Sequence, residues 1–387
     1  MALPSDSALR EMAATCVCFG FPGLEVDDHA REMLSLGCRS VILFTRNIES
    51  QEQVEALTSS LKRAAAPRKL LVCVDQEGGR VARLHKSLGF SDVPAARTVG
   101  ATEDPAMAKR AGQILGRELT AMHVDMNFAP VLDVDTNPDN PVIADRSFSR
   151  KPEVVGRLGL AMARAMQAEG VAACGKHFPG HGDTGVDSHL ALPSVGHGKE
   201  RLETVELPPF KHAIDGGIAS IMTAHVVVQA LDPRVPATMA PGVINGLLRD
   251  GLGFDGPVVS DCMEMGAIQD HFGTGEAVVA SLRAGVDLFL VCHTKEKQIE
   301  AMDSIVAAVK QGKLPLAALE TAVRRVEDLV EKWASPAPTK LTKLTLVGSK
   351  KHRDAIKAIL QKAGGSDLVD TEKTQRLGET PYAKGKT

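Results

Sequence analysis

Gly170-Val-Ala-Ala-Cys-Gly-Lys176-His-Phe-Pro-Gly-His-Gly-Asp-Thr-Gly-Val-Asp-Ser-His189 joins two unlike pieces of chain. The first, Gly170 to Cys174, is apolar and short and reads as a buried strand. The second, Lys176 to His189, holds three histidines, two aspartates and a lysine among three glycines and a proline. That composition suits neither helix nor strand. The polar cluster is therefore expected where a strand ends and a long loop begins, the place where rigid scaffolds carry functional groups.

The same apolar signal recurs along the chain, at 15–19, 40–44, 70–74, 124–131, 171–174, 219–222, 257–259 and 286–291. Amphipathic patterns of helical period lie between these runs, at 51–65, 105–122, 153–168, 203–214 and 276–284, with 296–311 after the last. Continuous rather than alternating apolarity implies strands covered on both faces, as in a parallel sheet. Eight strand-helix units over roughly 320 residues predict an α/β fold, a (β/α)8 TIM-type barrel with a short C-terminal extension. A doubly wound open sheet is the alternative.

The position of the polar residues favours the barrel. Thr45, Arg46 and Asn47 follow the second run, Asp75 and Glu77 the third, Asp133 and Asp135 the fourth, and Lys176 and His177 the fifth. His225, Asp261 with Glu264, and His293 follow the sixth, seventh and eighth. In a barrel these ends converge on one mouth, whereas an open sheet spreads them along an edge. The expected boundaries are a barrel over 1–333, a linker over 334–340 and a βα extension or truncated second domain over 341–387. In that last stretch 341–347 resembles a strand and 352–363 a helix. One strand and one helix make no core alone, so this piece either docks on the barrel or begins a second domain.

Composition narrows the function classes. The chain has 387 residues, 44% of them hydrophobic, and a formal net charge of −3 with both signs interspersed. Nothing in that balance marks a nucleic-acid or anionic-membrane partner. The seven cysteines are odd in number and sit mostly inside apolar runs, which fits reduced, buried thiols. The N-terminus lacks the basic and apolar regions of a signal peptide, and no window reaches transmembrane length. A cytoplasmic protein is expected. One Trp and one Tyr argue against an aromatic platform for long sugars or stacked bases.

Two sites carry acid-base chemistry. Asp261 lies just past a buried run in Pro257-Val-Val-Ser-Asp-Cys-Met-Glu, aimed at the mouth; alternatively Ser260 or Asp261 caps a helix over 263–268. In Asp187-Ser-His189 the aspartate can fix the imidazole tautomer and raise its basicity, leaving the second ring nitrogen free for proton transfer; the same pair can simply staple the loop. His177, His181, Asp183, Asp187 and His189 are also potential metal ligands, but their spacing matches no helical ligand pair and Lys176 adjoins them. Asp75-Gln-Glu-Gly-Gly-Arg80 offers a glycine turn for phosphate, opposed by two acidic side chains.

Five motifs together resemble glycoside hydrolase family 3. They are Lys176 to His189, Val74-Asp-Gln-Glu-Gly-Gly-Arg-Val-Ala-Arg83, Asn127-Phe-Ala-Pro-Val-Leu-Asp-Val134, Asp145-Arg-Ser-Phe148 and Ser260-Asp261. Within the family they look like the β-N-acetylhexosaminidase branch, which includes peptidoglycan-recycling enzymes; the likeness spans about residues 10 to 330.

The resemblance implies a retaining exo-glycosidase that releases terminal β-linked N-acetylglucosamine from short oligosaccharides, with no cofactor and no metal. It implies Asp261 as nucleophile, His189 as general acid/base and Asp187 as its partner. For the terminal sugar it implies Asp75, Arg83, Arg146, Lys176 and His177. Lys176 and Arg146 would favour the ionised form of Asp261, and an imidazole pKa near 6.5 suits a group that donates and then removes a proton. Gly180, Gly182 and Gly185 suggest a hinged loop that closes on substrate. His181 and Asp183 keep a structural reading only. Phosphorolysis, a β-glucosidase activity and a non-catalytic sugar-binding barrel are the alternatives, and the natural aglycone, peptidoglycan fragment or chitin oligosaccharide, stays open.

Overall fold

Val17–Phe19 (β1), Ser40–Leu43 (β2), Leu71–Val74 (β3), Met126–Asn127 (β4), Ala172–Phe178 (β5), Ser220–Thr223 (β6), Val258–Cys262 (β7) and Leu288–Val291 (β8) pair in sequence order, all parallel, and β8 pairs with β1 to close a barrel. A computed structural model of the chain describes residues 3–188, 191–338, 344–366 and 368. The barrel expected from the eight apolar runs is present, and the open-sheet alternative is excluded.

Each strand feeds both faces. Cys18, Leu71, Cys73, Ala172, Cys174, Leu288 and Leu290 point into the barrel, while Val17, Phe19, Val72, Val74, Ala173 and Phe289 pack outward under the helices. Both sets are buried, which is why the runs read as continuously apolar. Val326, Leu329 and Val330 close the floor from below.

The surrounding helices are Asp6–Thr15 (α1), Asp28–Leu36 (α2), Gln51–Ala65 (α3), Ala96–Ala101 (α4), Pro105–Ala121 (α5), Pro152–Ala168 (α6), Leu207–Asp215 (α7), Thr274–Ala284 (α8), Lys295–Lys310 (α9) and Leu316–Trp333 (α10). Their ends follow local chemistry. Ser50 caps α3 by accepting from Gln53 N, and Asp104 caps α5 by accepting from Ala106 N ahead of Pro105 at the first helical position. After β6 the helical layer is supplied by Gly242–Gly251, wound more widely than an α-helix.

Two expectations need correction. The fifth strand does not stop at Cys174 but runs to Phe178, because ladder partners continue on both sides: Lys176 N donates to Pro130 O (3.1 Å), Leu132 N to Lys176 O (2.6 Å) and Ala224 N to Phe178 O (2.7 Å). Lys176 and His177 are therefore strand residues. In the stretch read as a strand at 341–347, Leu344–Leu346 is a 3-10 turn, followed by the helix Lys350–Lys362 (α11); residues 341–343 lie outside the described residues.

The described part of the extension docks on the barrel, with Val347, Ile356 and Ile359 joining its outer core. Ser335 is pinned to the barrel floor: its N and Oγ donate to Asp125 Oδ1 (2.9 and 2.7 Å), beside the buried Lys62–Asp125 ion pair.

Candidate active site

The mouth is organised by one network of buried charge that spans strands β3 to β5. Lys176, on the last turns of β5, reaches Asp75 Oδ1 and Glu77 Oε1, both at 2.7 Å. Glu77 in turn takes both prongs of Arg146, Nε to Oε2 at 2.9 Å and Nη2 to Oε1 at 2.8 Å. Arg146 Nη2 approaches His177 Nε2 at 3.3 Å, and Arg83 Nη2 lies 3.7 Å from Asp75 Oδ2. The five residues expected around the sugar, Asp75, Arg83, Arg146, Lys176 and His177, are thus brought together from the loops after β3 and β4 and from the end of β5.

Electrostatics keeps Glu77 and Lys176 ionised. Burial alone would push the Glu77 carboxyl up, but the Arg146 and Lys176 cations outweigh it and hold the group well below the usual carboxylate range. Burial opposes the charge on Lys176 as well, yet Asp75 and Glu77 raise its pKa. The positive charge of Lys176 and Arg146 is therefore met at close range by carboxylates of the same network.

Two members were not singled out from the sequence. Glu77 and Asp133 were visible only as polar residues after the third and fourth runs. Asp133, fully buried, accepts from His177 Nδ1 (2.7 Å) and from His181 N (2.7 Å), so it sets the His177 tautomer with Nε2 facing Arg146. Burial would raise the Asp133 pKa; His177 and the His181 amide bring it below its ordinary value.

Asp261 is half-buried on β7 itself, three strands round the barrel wall from the Arg146 loop, and its Oδ1 accepts from Cys262 N (2.7 Å). The capping alternative is not realised: the short helix Gly266–Gln269 starts at Met265 with no side-chain cap, and Ser260 Oγ accepts from Leu290 N instead. Other mouth residues hold backbone. His225 bridges Thr238 Oγ1 (2.9 Å) and Cys262 O (3.1 Å), Glu264 accepts from His293 N and Thr294 N, and Arg46 donates to Phe21 O and Cys292 O.

The loop after β5 is folded over the mouth and fastened. His181 is buried between Thr184 Oγ1 (2.8 Å) and Ser188 Oγ (2.9 Å), and burial pushes its imidazole down to about 4. Asp183 is held by Thr136 Oγ1 (2.7 Å) and His197. Ser188 O accepts from Ala267 N (3.2 Å), which ties the loop to the segment that follows Asp261. Asp187 is buried at 8% exposure; His189 lies outside the described residues.

The surroundings of the three loop glycines differ. A Cβ at Gly182 would sit 1.8 Å from Val134 O, and one at Gly180, where φ is +137°, would sit 2.9 Å from the Glu206 side chain. Gly180 and Gly182 therefore serve close packing of the loop; Gly185 alone of the three has open space around it. The glycines of the phosphate reading are spent likewise, Gly78 and Gly79 packing on Val93, Pro94 and Ala95. Among the described residues, no group of three or more His, Cys, Asp or Glu side chains is placed to hold a metal ion.

Comparison with known proteins agrees with this architecture. Residues 10–329 match the family model for the glycosyl hydrolase family 3 N-terminal domain. A beta-hexosaminidase from Thioalkalivibrio sulfidiphilus is 42% identical over 271 residues, 68% of this chain and 76% of that protein. Beta-hexosaminidase A of Pseudoalteromonas piscicida is 35% identical over 81% of this chain, which spans 56% of that protein's length. The solved glycoside hydrolase family 3 beta-N-acetylglucosaminidase from Paenibacillus sp. str. FPU-7 superposes with a TM-score of 0.89 at 42% identity, covering 94% of this chain and 69% of that one. With the fold, the mouth and these relatives in agreement, the chain belongs to glycosyl hydrolase family 3.

Proposed function

We propose that the chain is a retaining exo-β-N-acetylglucosaminidase that removes terminal β-linked N-acetylglucosamine from short amino-sugar oligosaccharides. The observation that carries this reading is the buried network of Asp75, Glu77, Arg146, Lys176 and His177, set at the barrel mouth on which Asp261 also opens. Fixed donors and acceptors of that kind recognise sugar hydroxyls in one orientation without reorganising.

In the mechanism, the Asp261 carboxylate attacks the anomeric carbon as the glycosidic C–O bond breaks, and His189 gives its proton to the leaving oxygen. Water then attacks the anomeric carbon of the glycosyl–Asp261 intermediate, the C–O bond to Asp261 breaks to return its carboxylate, and His189 takes the proton of the water, so configuration is retained. Asp187, held in the loop just before His189, orients the imidazole and stabilises its protonated form. Asp75, Arg83, Arg146, Lys176 and His177 bind the terminal sugar.

The relatives named as beta-hexosaminidases support the choice of substrate. All seven cysteines are free, which supports a reducing compartment, the cytoplasm. No helix among the described residues is long and apolar enough to cross a membrane.

The deciding measurement compares aryl N-acetyl-β-glucosaminide with aryl β-glucoside, each with and without phosphate, and identifies the sugar released. Free N-acetylglucosamine at a phosphate-independent rate is expected. A sugar 1-phosphate product would assign phosphorolysis, preference for the glucoside would assign a β-glucosidase, and no turnover of either would leave a sugar-binding barrel.

A further inference from the structure

The segment beyond the barrel is wired to the loops that carry the sugar-binding side chains. Its anchor is Glu118 on α5, buried at 6% exposure. One of its oxygens, Oε2, accepts from Ser91 N (3.0 Å); the other, Oε1, accepts from Ser91 Oγ (2.5 Å), Gly348 N (2.9 Å) and His352 Nδ1 (2.8 Å). Two of these donors belong to the loop after β3 and two to the extension. Burial would raise the Glu118 pKa, but the His352 and Ser91 bonds outweigh it and keep the carboxylate ionised.

Gly348 makes the contact close. Its φ is +56°, and a Cβ there would sit 2.1 Å from Gly89 O, so the turn before α11 rests directly on the backbone of the β3 loop. From Ser91 the loop carries the constraint inward. Val93 N donates to Ser91 O (3.0 Å), Gly79 N to Val93 O (2.9 Å), and Gln76 Oε1 accepts from Arg83 N (2.8 Å) and Leu84 N (3.0 Å). Glu77 and Arg83 lie inside the stretch these bonds shape, and Asp75 adjoins it.

The extension bears on the Arg146 loop through a second route. Leu368 N donates to Thr98 Oγ1 (2.7 Å) on α4. On the same helix, Arg97 Nη2 donates to Ala144 O (3.0 Å) and Asp135 Oδ2 (2.6 Å), and a Cβ at Gly100 would sit 1.7 Å from Phe148 O. Arg146 lies between those two contacts.

We propose that residues 344–366, together with Leu368, brace the sugar subsite, with His352 as a positioning residue that acts through Glu118 and Ser91 on the loop carrying Asp75, Glu77 and Arg83. The proposal rests on the reading of those residues as sugar-binding. A long loop fixed by one shared carboxylate loses its preset geometry when the outer donors go, and substrate binding must then order it.

Kinetics of wild type and His352→Ala on an aryl N-acetyl-β-glucosaminide test this, alongside amide exchange. In His352→Ala, KM is expected to rise about tenfold with kcat held within about twofold, because Asp261 and the loop after β5 are untouched. Amides of 84–93 are expected to exchange faster than in wild type. His352→Asn, which returns an N–H donor near Nδ1, is expected to restore both. Unchanged KM and exchange in folded His352→Ala would overturn the brace, as would a fall in kcat alone or a failure of His352→Asn to rescue. If His352→Ala does not fold, Ser91→Ala loosens the loop from the other side and should raise KM likewise; an unchanged KM there overturns the proposal. Inactive wild type would defeat the functional reading instead, and the exchange comparison would still decide the brace.

Discussion

Glu77 grips Arg146 with both carboxylate oxygens, at 2.9 and 2.8 Å, while the same Oε1 receives Lys176 at 2.7 Å. One buried carboxylate therefore sets the position of two cations, one on β5 and one in the loop after β4. Removing its charge takes away the carboxylate that both cations share in a low-dielectric mouth. Glu77→Gln is expected to cost about 3–5 kcal/mol of stability and to lower kcat/KM at least about a hundredfold. Urea denaturation and steady-state kinetics check it, and wild-type values on both would remove Glu77 from the organising role.

Asp261→Ala should abolish turnover even of an aryl glycoside with an activated leaving group, since no bond to the anomeric carbon can then form. Residual activity above about 1% of wild type would assign the nucleophile elsewhere.

His189→Ala should separate leaving groups. Acids are needed in proportion to the basicity of the departing oxygen, so a poor leaving group should lose about 10²–10⁴-fold and an activated phenol far less. Equal losses across a series of aryl glycosides would take the proton-transfer role from His189.

Gly182 and Gly185 offer a contrast within one loop. Alanine at Gly182 must push against the Val134 carbonyl, 1.8 Å from the new Cβ, whereas at Gly185 it meets nothing within 4 Å. Gly182→Ala is expected to lower Tm by several degrees, corresponding to about 1–3 kcal/mol, and Gly185→Ala to leave it unchanged. A thermal melt of each variant decides; equal and small effects would remove the packing role from Gly182.

His181 should make the protein acid-sensitive. Its folded-state pKa, pushed down to about 4 by burial with help from neighbouring His177, lies below the unfolded value of 6.5. The unfolded chain binds the proton first, so the contribution is complete above pH 6.5 and is lost as pH falls toward 4, about 3 kcal/mol in all. Urea midpoints measured from pH 7 to pH 4 should fall through that window, and His181→Gln should flatten the fall. An acid limb unchanged in the variant would assign it to other groups.

The eight strands were legible because burial on both faces writes itself into the chain as continuous Val, Ile, Leu and Cys, and the α3 bounds because Ser50 supplies a cap. Asp75, Arg83, Arg146, Lys176 and His177 were legible from motifs. Glu77 and Asp133 were seen only as polar residues after strands, since nothing local to Glu77 announces Arg146, 69 residues away. The end of β5 was misplaced for a related reason: Lys176 and His177 look like loop residues, but partners on both sides keep them in the ladder. The packing duty of Gly180 and Gly182 was not legible because a glycine that hinges and one that touches a distant group have the same letter.

By itself, the sequence determined the barrel, the order of its strands and the end of the barrel at which chemistry gathers, since these follow from apolar periodicity and from which residues trail each run. Only the tertiary structure decided which carboxylate neutralises which cation, that the loop after β5 is pinned to the segment beyond Asp261, and that the extension reaches the loop after β3 through Glu118. Those are contacts between residues far apart in the chain, selected by burial, where an unpaired charge or an unfilled hydrogen bond is costly enough to choose its partner.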